Sequence, residues 1–216
     1  MNLVSSSSNL PVVLASSSAV RKKILSESFI PFIVDIPEFD EEQAKQKLVQ
    51  KFTTNTKINI KKIALELAIG KAKSLSKKYP NQLIIGSDQI CEFNSAILNK
   101  SQNAEQAIHQ LQMMQDNLHL QNNATAIICN NQVIFKHLSV AKMWLRHLSM
   151  QEIEQYVALD QPWGCAGSYK YESLGKHLFK KVEGDYFAVL GLAIQPIIAF
   201  LYQQKLLNFN SNISYA

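Results

Sequence analysis

The sequence predicts an α/β fold, because short apolar runs of strand length alternate with amphipathic helical segments along the chain. The clearest strand is the apolar run Leu83–Ile85, which is followed by residues 86–89 with the sequence GSDQ. The chain of 216 residues is 47% hydrophobic and 18% charged, so it can bury a sizeable core. We expect one domain over residues 10–205, with flexible ends at 1–9 and 206–216.

Asp88 is the candidate around which the other segments are interpreted. Together with Gln89, it would lie at the carboxyl end of the buried strand, where open α/β sheets bind their ligands. An aspartate at such a place often only caps a turn. The alternative is a reactive carboxylate that faces a bound substrate.

The first predicted strand and helix meet at a candidate anion site. Residues 11–15 are mostly apolar, serines follow at 16–18, and a helix is predicted over residues 19–27. The serine hydroxyls can cap this helix, and its free N–H groups and positive dipole end can bind a phosphate, with Arg21 one turn away. The alternative is a capped surface helix with solvated basic side chains.

Acidic residues cluster after the second predicted strand, Phe29–Ile36. Pro37 ends this strand, and four carboxylates follow within residues 38–42. Asp40 is placed as the N-cap of a helix that runs to about Phe52. Such a cluster commonly starts a helix, although its oxygens could also hold a hard divalent cation.

A long helix is predicted next, over residues 60–78, and it carries Lys71. A helical lysine usually lies on a solvated face. A hairpin is predicted over residues 90–98, turning near Asn94–Ser95, and a polar link with Lys100 leads to a helix over 103–114. Strands follow over 125–129 and 132–145, and the next helix starts with a capping box at Ser149–Glu152 and runs through Val157. The last predicted elements are a strand over 177–182, a turn at 183–186 and a helix over 193–203.

Residues 163–172 form a candidate ligand loop, since small residues alternate with large ones there. Gly167 and Ser168 would let the backbone approach a ligand closely. The aromatic residues that could stack on a base are Trp163, Tyr169 and Tyr171. The alternative is a glycine-containing turn whose aromatic residues belong to the core.

Composition limits the partners and the compartment. The formal net charge of +5 suits an anionic ligand, but the basic residues are dispersed, so we expect no stable complex with nucleic acid. Three cysteines without CxxC or Cys/His ligand spacing indicate reduced thiols in a cytoplasmic protein. The sequence shows no signal-peptide pattern and no apolar run of membrane-spanning length, so no membrane association is expected.

Motifs in seven segments agree in order and spacing with one family. They are Leu14-Ala15-Ser16-Ser17-Ser18-x-x-Arg21, Pro37-x-x-Asp40-Glu41, Lys71-Ala72, Ile85-Gly86-Ser87-Asp88-Gln89, Lys100, Ala166-Gly167-Ser168, and Glu183-Gly184-Asp185-Tyr186 with Gly191-Leu192. Through them the sequence resembles the Maf family of nucleoside triphosphate pyrophosphatases, also described as septum formation inhibitors, over about residues 10–202.

The resemblance implies hydrolysis of the α–β phosphoanhydride of a nucleoside triphosphate, with release of the monophosphate and pyrophosphate. It also implies a divalent cation, Mg²⁺ or Mn²⁺, a mixed twisted sheet flanked by helices with the site in a central cleft, and a homodimer. Residues 87–91, 146–149 and 165–170 are most similar to the branch that hydrolyses 7-methyl-GTP. The alternatives are a dTTP/UTP pyrophosphatase and a non-catalytic nucleotide-binding regulator of cell division.

The resemblance also assigns roles to single residues of the phosphate end of the site. Asp88 matches the proton acceptor that activates water. Lys71 and Lys100 match basic positions that would neutralise charge on the leaving pyrophosphate. Ser16 and Arg21 match phosphate-binding positions, where the planar fork of arginine pairs well with phosphate oxygens.

The cation and the base have their own matching positions. Glu41, together with Asp88, matches the acidic positions that would face the cation. Gln89 and Glu172 match positions associated with the choice of base, and a carboxylate at 172 would favour the positively charged ring of a methylated guanine. Val20 stands where the 7-methyl-GTP branch usually carries tryptophan, which removes one candidate stacking partner.

Overall fold

The computed structural model describes residues 12–55 and 57–207, whose main feature is one seven-stranded sheet. The strands are β1 (Val12–Ala15), β2 (Phe32–Asp35), β3 (Thr53–Thr54), β4 (Lys57–Ile58), β5 (Ile84–Phe93), β6 (Ala96–Leu98), β7 (Leu118–Cys129), β8 (Gln132–Leu145) and β9 (Phe179–Glu183). The helices are α1 (Ala19–Glu27), α2 (Glu41–Phe52), α3 (Ile60–Ser74), α4 (Ala104–Met114), α5 (Met150–Asp160), α6 (Tyr186–Val189) and α7 (Ile194–Gln203), with a 3₁₀ helix at Leu174–Leu178.

The sheet is mixed. Its order is β2-β1-β5-β7-β8-β9, with β6 paired to β5, while β3 and β4 form a separate hairpin. Strands β2 and β5 run parallel to β1, whereas β6 and β7 run antiparallel to β5, and β7, β8 and β9 are antiparallel to one another in turn. The predicted α/β class, with a mixed sheet flanked by helices, is confirmed.

Side chains of β5 alternate between two helical layers, as they must on a pleated strand. Ile84 and Ile90 pack in clusters that contain α3, whereas Ile85 packs with residues of α1 and α7. Asp88 therefore faces the α3 layer, and its neighbour Gln89 faces the opposite layer.

Strand β5 differs from the sequence prediction in a way that defines the site. The strand was expected to end before Asp88, but it continues to Phe93 because β7 pairs with it along nearly its whole length. On its other edge, β1 pairs only with Ile84 and Ile85, and β6 pairs only with residues 91–93. Residues 86–90 therefore lie at a gap in the sheet, where the parallel part ends, and Asp88 is in the middle of that gap.

The predicted helices are mostly confirmed, because their caps are encoded locally. Ser18, Asp40 and Asn103 accept hydrogen bonds from the first turns of α1, α2 and α4. The capping box at Ser149 is present, although α5 runs to Asp160 rather than Val157. Helix α3 ends at Ser74, four residues before the predicted end.

Three strand boundaries were predicted wrongly. Phe29 has a φ of 52°, so the chain turns after α1 and β2 begins only at Phe32. Strand β7 begins at Leu118 rather than 125. The prediction started too late because residues 119–123 are mostly polar, and the sequence does not reveal that these side chains are buried and form hydrogen bonds such as that of Gln121 with Tyr169. The strand predicted over 177–182 begins at Phe179, after the 3₁₀ helix.

The flexible ends were expected at residues 1–9 and 206–216. Residues 1–9 and 208–216 lie outside the described residues, while Leu206 and Leu207 pack against the cluster that contains α1 and α7. All three cysteines are free thiols, as predicted. Among the helices of residues 12–55 and 57–207, none is long and apolar enough to cross a membrane.

Candidate active site

A cleft of about 450 Å³ opens at the gap in the sheet, a size that suits a small-molecule ligand. It is bounded by the end of β1, the start of α1, the middle of β5 and the loop 164–172. All nine side chains that the sequence nominated line this cleft: Ser16, Val20, Arg21, Glu41, Lys71, Asp88, Gln89, Lys100 and Glu172.

A chain of alternating charges runs along the cleft. The Lys71 ammonium lies 2.6 Å from Asp88 Oδ1 and 2.6 Å from Glu41 Oε2. The other oxygen of Glu41, Oε1, lies 3.1 Å from the Lys100 ammonium. Lys71 is only 8% exposed, so the ordinary expectation that a helical lysine lies on a solvated face is wrong here.

Two glycines allow these charged groups to meet. Helix α3 packs so closely on β5 that a Cβ at Gly86 would collide with the carbonyl oxygen of Ala68. A Cβ at Gly70 would lie 2.6 Å from the ring of Phe39, which precedes α2 and thereby sets the position of Glu41. The small residues at 70 and 86 thus bring α2, α3 and β5 within the reach of one lysine side chain.

The ionisation of Glu41 follows from these neighbours. Burial alone would raise the pKa of this carboxyl, but Lys71 and Lys100 outweigh burial and lower the pKa to about 2. Burial lowers the pKa of Arg21, while the nearby carboxylates of Asp88 and Glu41 oppose that decrease. Five charged groups therefore share one partly dehydrated space.

Arg21 is oriented by the protein rather than solvated. Its Nε donates to the carbonyl oxygen of Gly191 at 2.8 Å, and its Nη1 donates to Ser16 Oγ at 3.3 Å. Gly191 has a φ of 106°, and a Cβ there would lie 3.4 Å from Arg21 Nε. Among the residues that the structure describes, none forms a hydrogen bond with Nη2, so this end of the guanidinium is available to a ligand. Since Arg21 and Ser16 line the cleft beside the N-terminus of α1, the arrangement suits a phosphate better than a capped surface helix.

The orientation of Gln89, which also lines the cleft, is fixed. Its Nε2 donates to the carbonyl oxygens of Val189 at 2.9 Å and Ala188 at 3.4 Å. Both partners can only accept, so the amide nitrogen must face them. The amide oxygen of Gln89 is therefore the end that can serve a ligand, as a hydrogen-bond acceptor.

The aromatic residues of the candidate ligand loop have different places. Tyr169, Tyr171 and Glu172 all line the cleft, but Tyr169 is only 5% exposed because it is packed in the core. The Tyr169 hydroxyl lies 2.6 Å from Gln121 Nε2 and 2.9 Å from His119 Nε2. Trp163 is not among the lining residues, so its expected stacking role is not supported.

The acidic residues suit a cation that is shared with a substrate. In the part of the chain that the structure describes, no group of three or more histidine, cysteine or acidic side chains could hold a metal ion. Glu41 and Asp88 are the two carboxylates on either side of the Lys71 ammonium. Because Mg²⁺ is usually held by one or two carboxylates together with substrate phosphates and waters, this pair fits such an ion.

Comparison with known proteins decides the family. The family model for Maf-like proteins matches residues 11–204. The chain belongs to the Maf family. A relative named nucleoside triphosphate pyrophosphatase, from Bradyrhizobium diazoefficiens, is 35% identical over 201 residues, which cover 91% of this chain and 95% of the relative. A relative of the same name from Nitrobacter hamburgensis is 36% identical, over 92% of this chain and 96% of the relative. Another, from Legionella pneumophila, is 31% identical, over 90% of this chain and 94% of the relative.

The resemblance to the Maf family is thus confirmed, and the names of these relatives agree with the expected enzyme class. The Maf cleft also contains residues that sequence reasoning missed. Gln121 lines it, is 2% exposed, and donates to the carbonyl oxygen of Ala166 at 2.9 Å, which anchors the candidate ligand loop to β7. The alternation of apolar and polar residues over 118–121 was the available signal, but Asn122 interrupts it and it lay outside any predicted strand.

Proposed function

We propose that this Maf protein is a nucleoside triphosphate pyrophosphatase that hydrolyses the α–β phosphoanhydride of 7-methyl-GTP to 7-methyl-GMP and pyrophosphate. The family and its relatives support the reaction class. The observation that carries the proposal is the charge chain Asp88, Lys71, Glu41 and Lys100, which shares one cleft with Arg21.

In the proposed reaction, Asp88 is the general base. Lys71 donates to Oδ1 of this carboxylate at 2.6 Å, and the second oxygen would accept a proton from water. The hydroxide that forms attacks phosphorus, the bond between the bridging oxygen and the attacked phosphorus breaks, and pyrophosphate leaves as the monophosphate forms. Asp88 later returns the proton to solvent.

The cations of the cleft stabilise the charge that develops on the phosphates. Lys71 and Lys100 would neutralise the leaving pyrophosphate, and the free end of Arg21 would pair with phosphate oxygens beside Ser16. Such positioned charges do most of the work in phosphoryl transfer, since the chemistry needs little covalent help from the protein. Glu41 and Asp88 would hold Mg²⁺ or Mn²⁺, which would supply further neutralisation of the phosphate charge.

The choice of 7-methylguanine rests on Gln89 and Glu172. The fixed acceptor oxygen of Gln89 suits the N–H groups on the Watson–Crick edge of guanine. Glu172 is an exposed carboxylate at the cleft, which suits the positive charge of the methylated ring. Val20, also in the cleft, offers apolar contact but no aromatic face, so the alternative of dTTP or UTP is retained.

A nucleotide panel tests the proposal. The purified protein is incubated with 7-methyl-GTP, GTP, dTTP or UTP and Mg²⁺, and the pyrophosphate and monophosphate products are quantified. We expect the highest kcat/KM with 7-methyl-GTP. A higher value with dTTP or UTP would favour the pyrimidine alternative. If no triphosphate yields pyrophosphate, the non-catalytic regulator becomes the better account, although a binding-only protein has no need for four charged groups at these positions.

The remaining expectations about partners and place belong to the same proposal. Three free cysteines support a cytoplasmic protein with reduced thiols. Dispersed basic residues support the expectation that no stable nucleic-acid complex forms. A homodimer is proposed from the family resemblance, and sedimentation of the purified protein would test it.

A further inference from the structure

The side chain of Lys100 is held by fewer contacts than that of Lys71, the other lysine of the cleft. That side chain is 51% exposed and contacts Glu41 at 3.1 Å, whereas Lys71 is buried between two carboxylates. A lysine carries about 2 kcal/mol of rotamer entropy, so a half-exposed one is poorly placed by a single ion pair. The position of Lys100 must therefore be set by its backbone.

The backbone on both sides of Lys100 is held by hydrogen bonds from outside its own segment. The carbonyl oxygen of Asn99 accepts from Gln110 Nε2 on α4 at 2.8 Å. The carbonyl oxygen of Ser101 accepts from the N–H of Gly164 at 3.1 Å. The second of these bonds comes directly from the loop 164–172, which also lines the cleft.

Gln110 also contacts that loop. Its Oε1 accepts a hydrogen bond from Ser168 Oγ at 2.6 Å. Ser168 is completely buried and has a φ of 59°, a left-handed conformation that is unusual for a residue with a side chain. Both ends of the Gln110 amide are thus used with defined polarity, the nitrogen towards Asn99 and the oxygen towards Ser168.

We propose that Gln110 is a positioning residue that fixes Lys100 relative to the loop 164–172 and so couples the placement of this cation to that of the loop that carries Glu172. The inference rests on the proposed function, because it takes Lys100 to act on the phosphates. Gln110 does not line the cleft, and it acts only through the residues that it holds.

A double-mutant cycle with Lys100 tests this role. Gln110→Ala is expected to lower kcat for the best triphosphate about tenfold, since misplacing a catalytic group by a fraction of an ångström has effects of this size. KM should change less than kcat, because Lys100 acts on charge that develops in the transition state. In a Lys100→Ala background, Gln110→Ala should lower kcat no further, since the group that it positions is absent.

The matched control is Gln112→Ala, an identical truncation on the same helix at an exposed position that contacts Met150 instead. It should leave kcat unchanged in both backgrounds. Ser168→Ala is a second variant, in case Gln110→Ala does not fold: it removes one of the two bonds and should give a smaller decrease in kcat that also vanishes in the Lys100→Ala background. Urea denaturation of every variant separates these effects from loss of stability.

The outcomes are distinct. Non-additive losses of kcat, with additive changes in the free energy of unfolding, support the inference. Losses that multiply in the double variant, or a Gln110→Ala protein that behaves like Gln112→Ala, overturn it and leave the proposed function standing. A wild-type protein that releases no pyrophosphate from any triphosphate overturns the proposed function and this inference together.

Discussion

The ammonium of Lys71 lies 2.6 Å from Oδ1 of Asp88, although the two residues are carried by different layers of the fold, helix α3 and strand β5. The contact depends on the absence of a side chain at Gly86, where the helix backbone touches the strand. It also depends on the gap in the sheet, which leaves Asp88 accessible from the cleft. Packing and chemistry are therefore coupled at this point of the molecule.

Gly86→Ala tests the packing half of this relationship. The new methyl group would collide with the carbonyl oxygen of Ala68, so α3 must move away from β5. We expect the free energy of unfolding to fall by about 1–3 kcal/mol, the range that is typical of overpacking. We also expect pyrophosphate release to fall in the protein that remains folded, because Lys71 moves with α3. Urea denaturation and initial rates measure the two effects, and a variant with wild-type stability would show that the helix is free to adjust.

Glu41→Gln tests the proposed cation site. Removal of this charge should raise the Mg²⁺ concentration needed for half-maximal activity by at least about tenfold, the loss that even an outer partner of a metal ligand can cause. Calorimetric titration with Mn²⁺ in the presence of a non-hydrolysable triphosphate gives a readout that does not depend on turnover.

The matched control for this experiment is Glu42→Gln. Glu42 is the next residue of α2 but pairs with Lys45 outside the cleft, at 2.7 Å. It should leave the Mg²⁺ dependence unchanged. Equal Mg²⁺ dependence in the Glu41 and Glu42 variants would remove Glu41 from the cation site.

His119 makes stability depend on pH. Burial lowers its pKa from 6.5 to about 3, so the folded protein keeps this ring neutral where the unfolded chain protonates it. The unfolded state then binds more protons between these pH values, and stability is complete above about pH 6.5 and decreases as the pH falls. The contribution is about 1.4 kcal/mol per pH unit, or about 2 kcal/mol between pH 6.5 and 5.

Urea denaturation at pH 7 and pH 5 measures this effect. The His119→Gln variant, which lacks the titrating ring, should lose less stability than the wild type over the same interval. Parallel losses in the two proteins would mean that His119 is protonated in the folded state, and that its hydrogen bond with Tyr169 does not keep it neutral.

Glu172→Gln tests the choice of base. If the carboxylate selects the positively charged ring of 7-methylguanine, the variant should lose most of its preference for 7-methyl-GTP over GTP, whereas kcat for GTP should change little. The ratio of the two kcat/KM values measures this preference, and Glu154→Gln, an exposed glutamate on α5, is the control. An unchanged ratio would place the recognition of the methylated base elsewhere in the cleft.

The helices could be predicted from the sequence because their capping signals are local. The residues that line the candidate site could be predicted because their motifs follow the family's order along the chain. Caps such as Ser18 and Asp40 determine helix starts within a few residues. The joint order of the motifs nominated nine residues for one site, and all of them line one cleft. No single motif was sufficient for this prediction, since each also fitted a common structural feature.

What the sequence could not predict depends on contacts between distant segments. The extent of β5 is set by pairing with β7, and the polar run in β7 is a strand only because its partners and buried hydrogen bonds make it one. The burial of Lys71 follows from Glu41, which is carried by another helix. The role of Gln110 arises from two contacts with segments 11 and 58 residues away along the chain.

The most direct test of the central claim compares pyrophosphate release from 7-methyl-GTP by the wild type and by Asp88→Asn at saturating Mg²⁺, with Asp116→Asn, at an exposed aspartate, as the control. Loss of a general base typically lowers the rate by about 10²–10⁴-fold, and we expect a decrease of this size with an unchanged circular dichroism spectrum. A folded Asp88→Asn protein that turns over at the wild-type rate would contradict the claim that this carboxylate activates the attacking water.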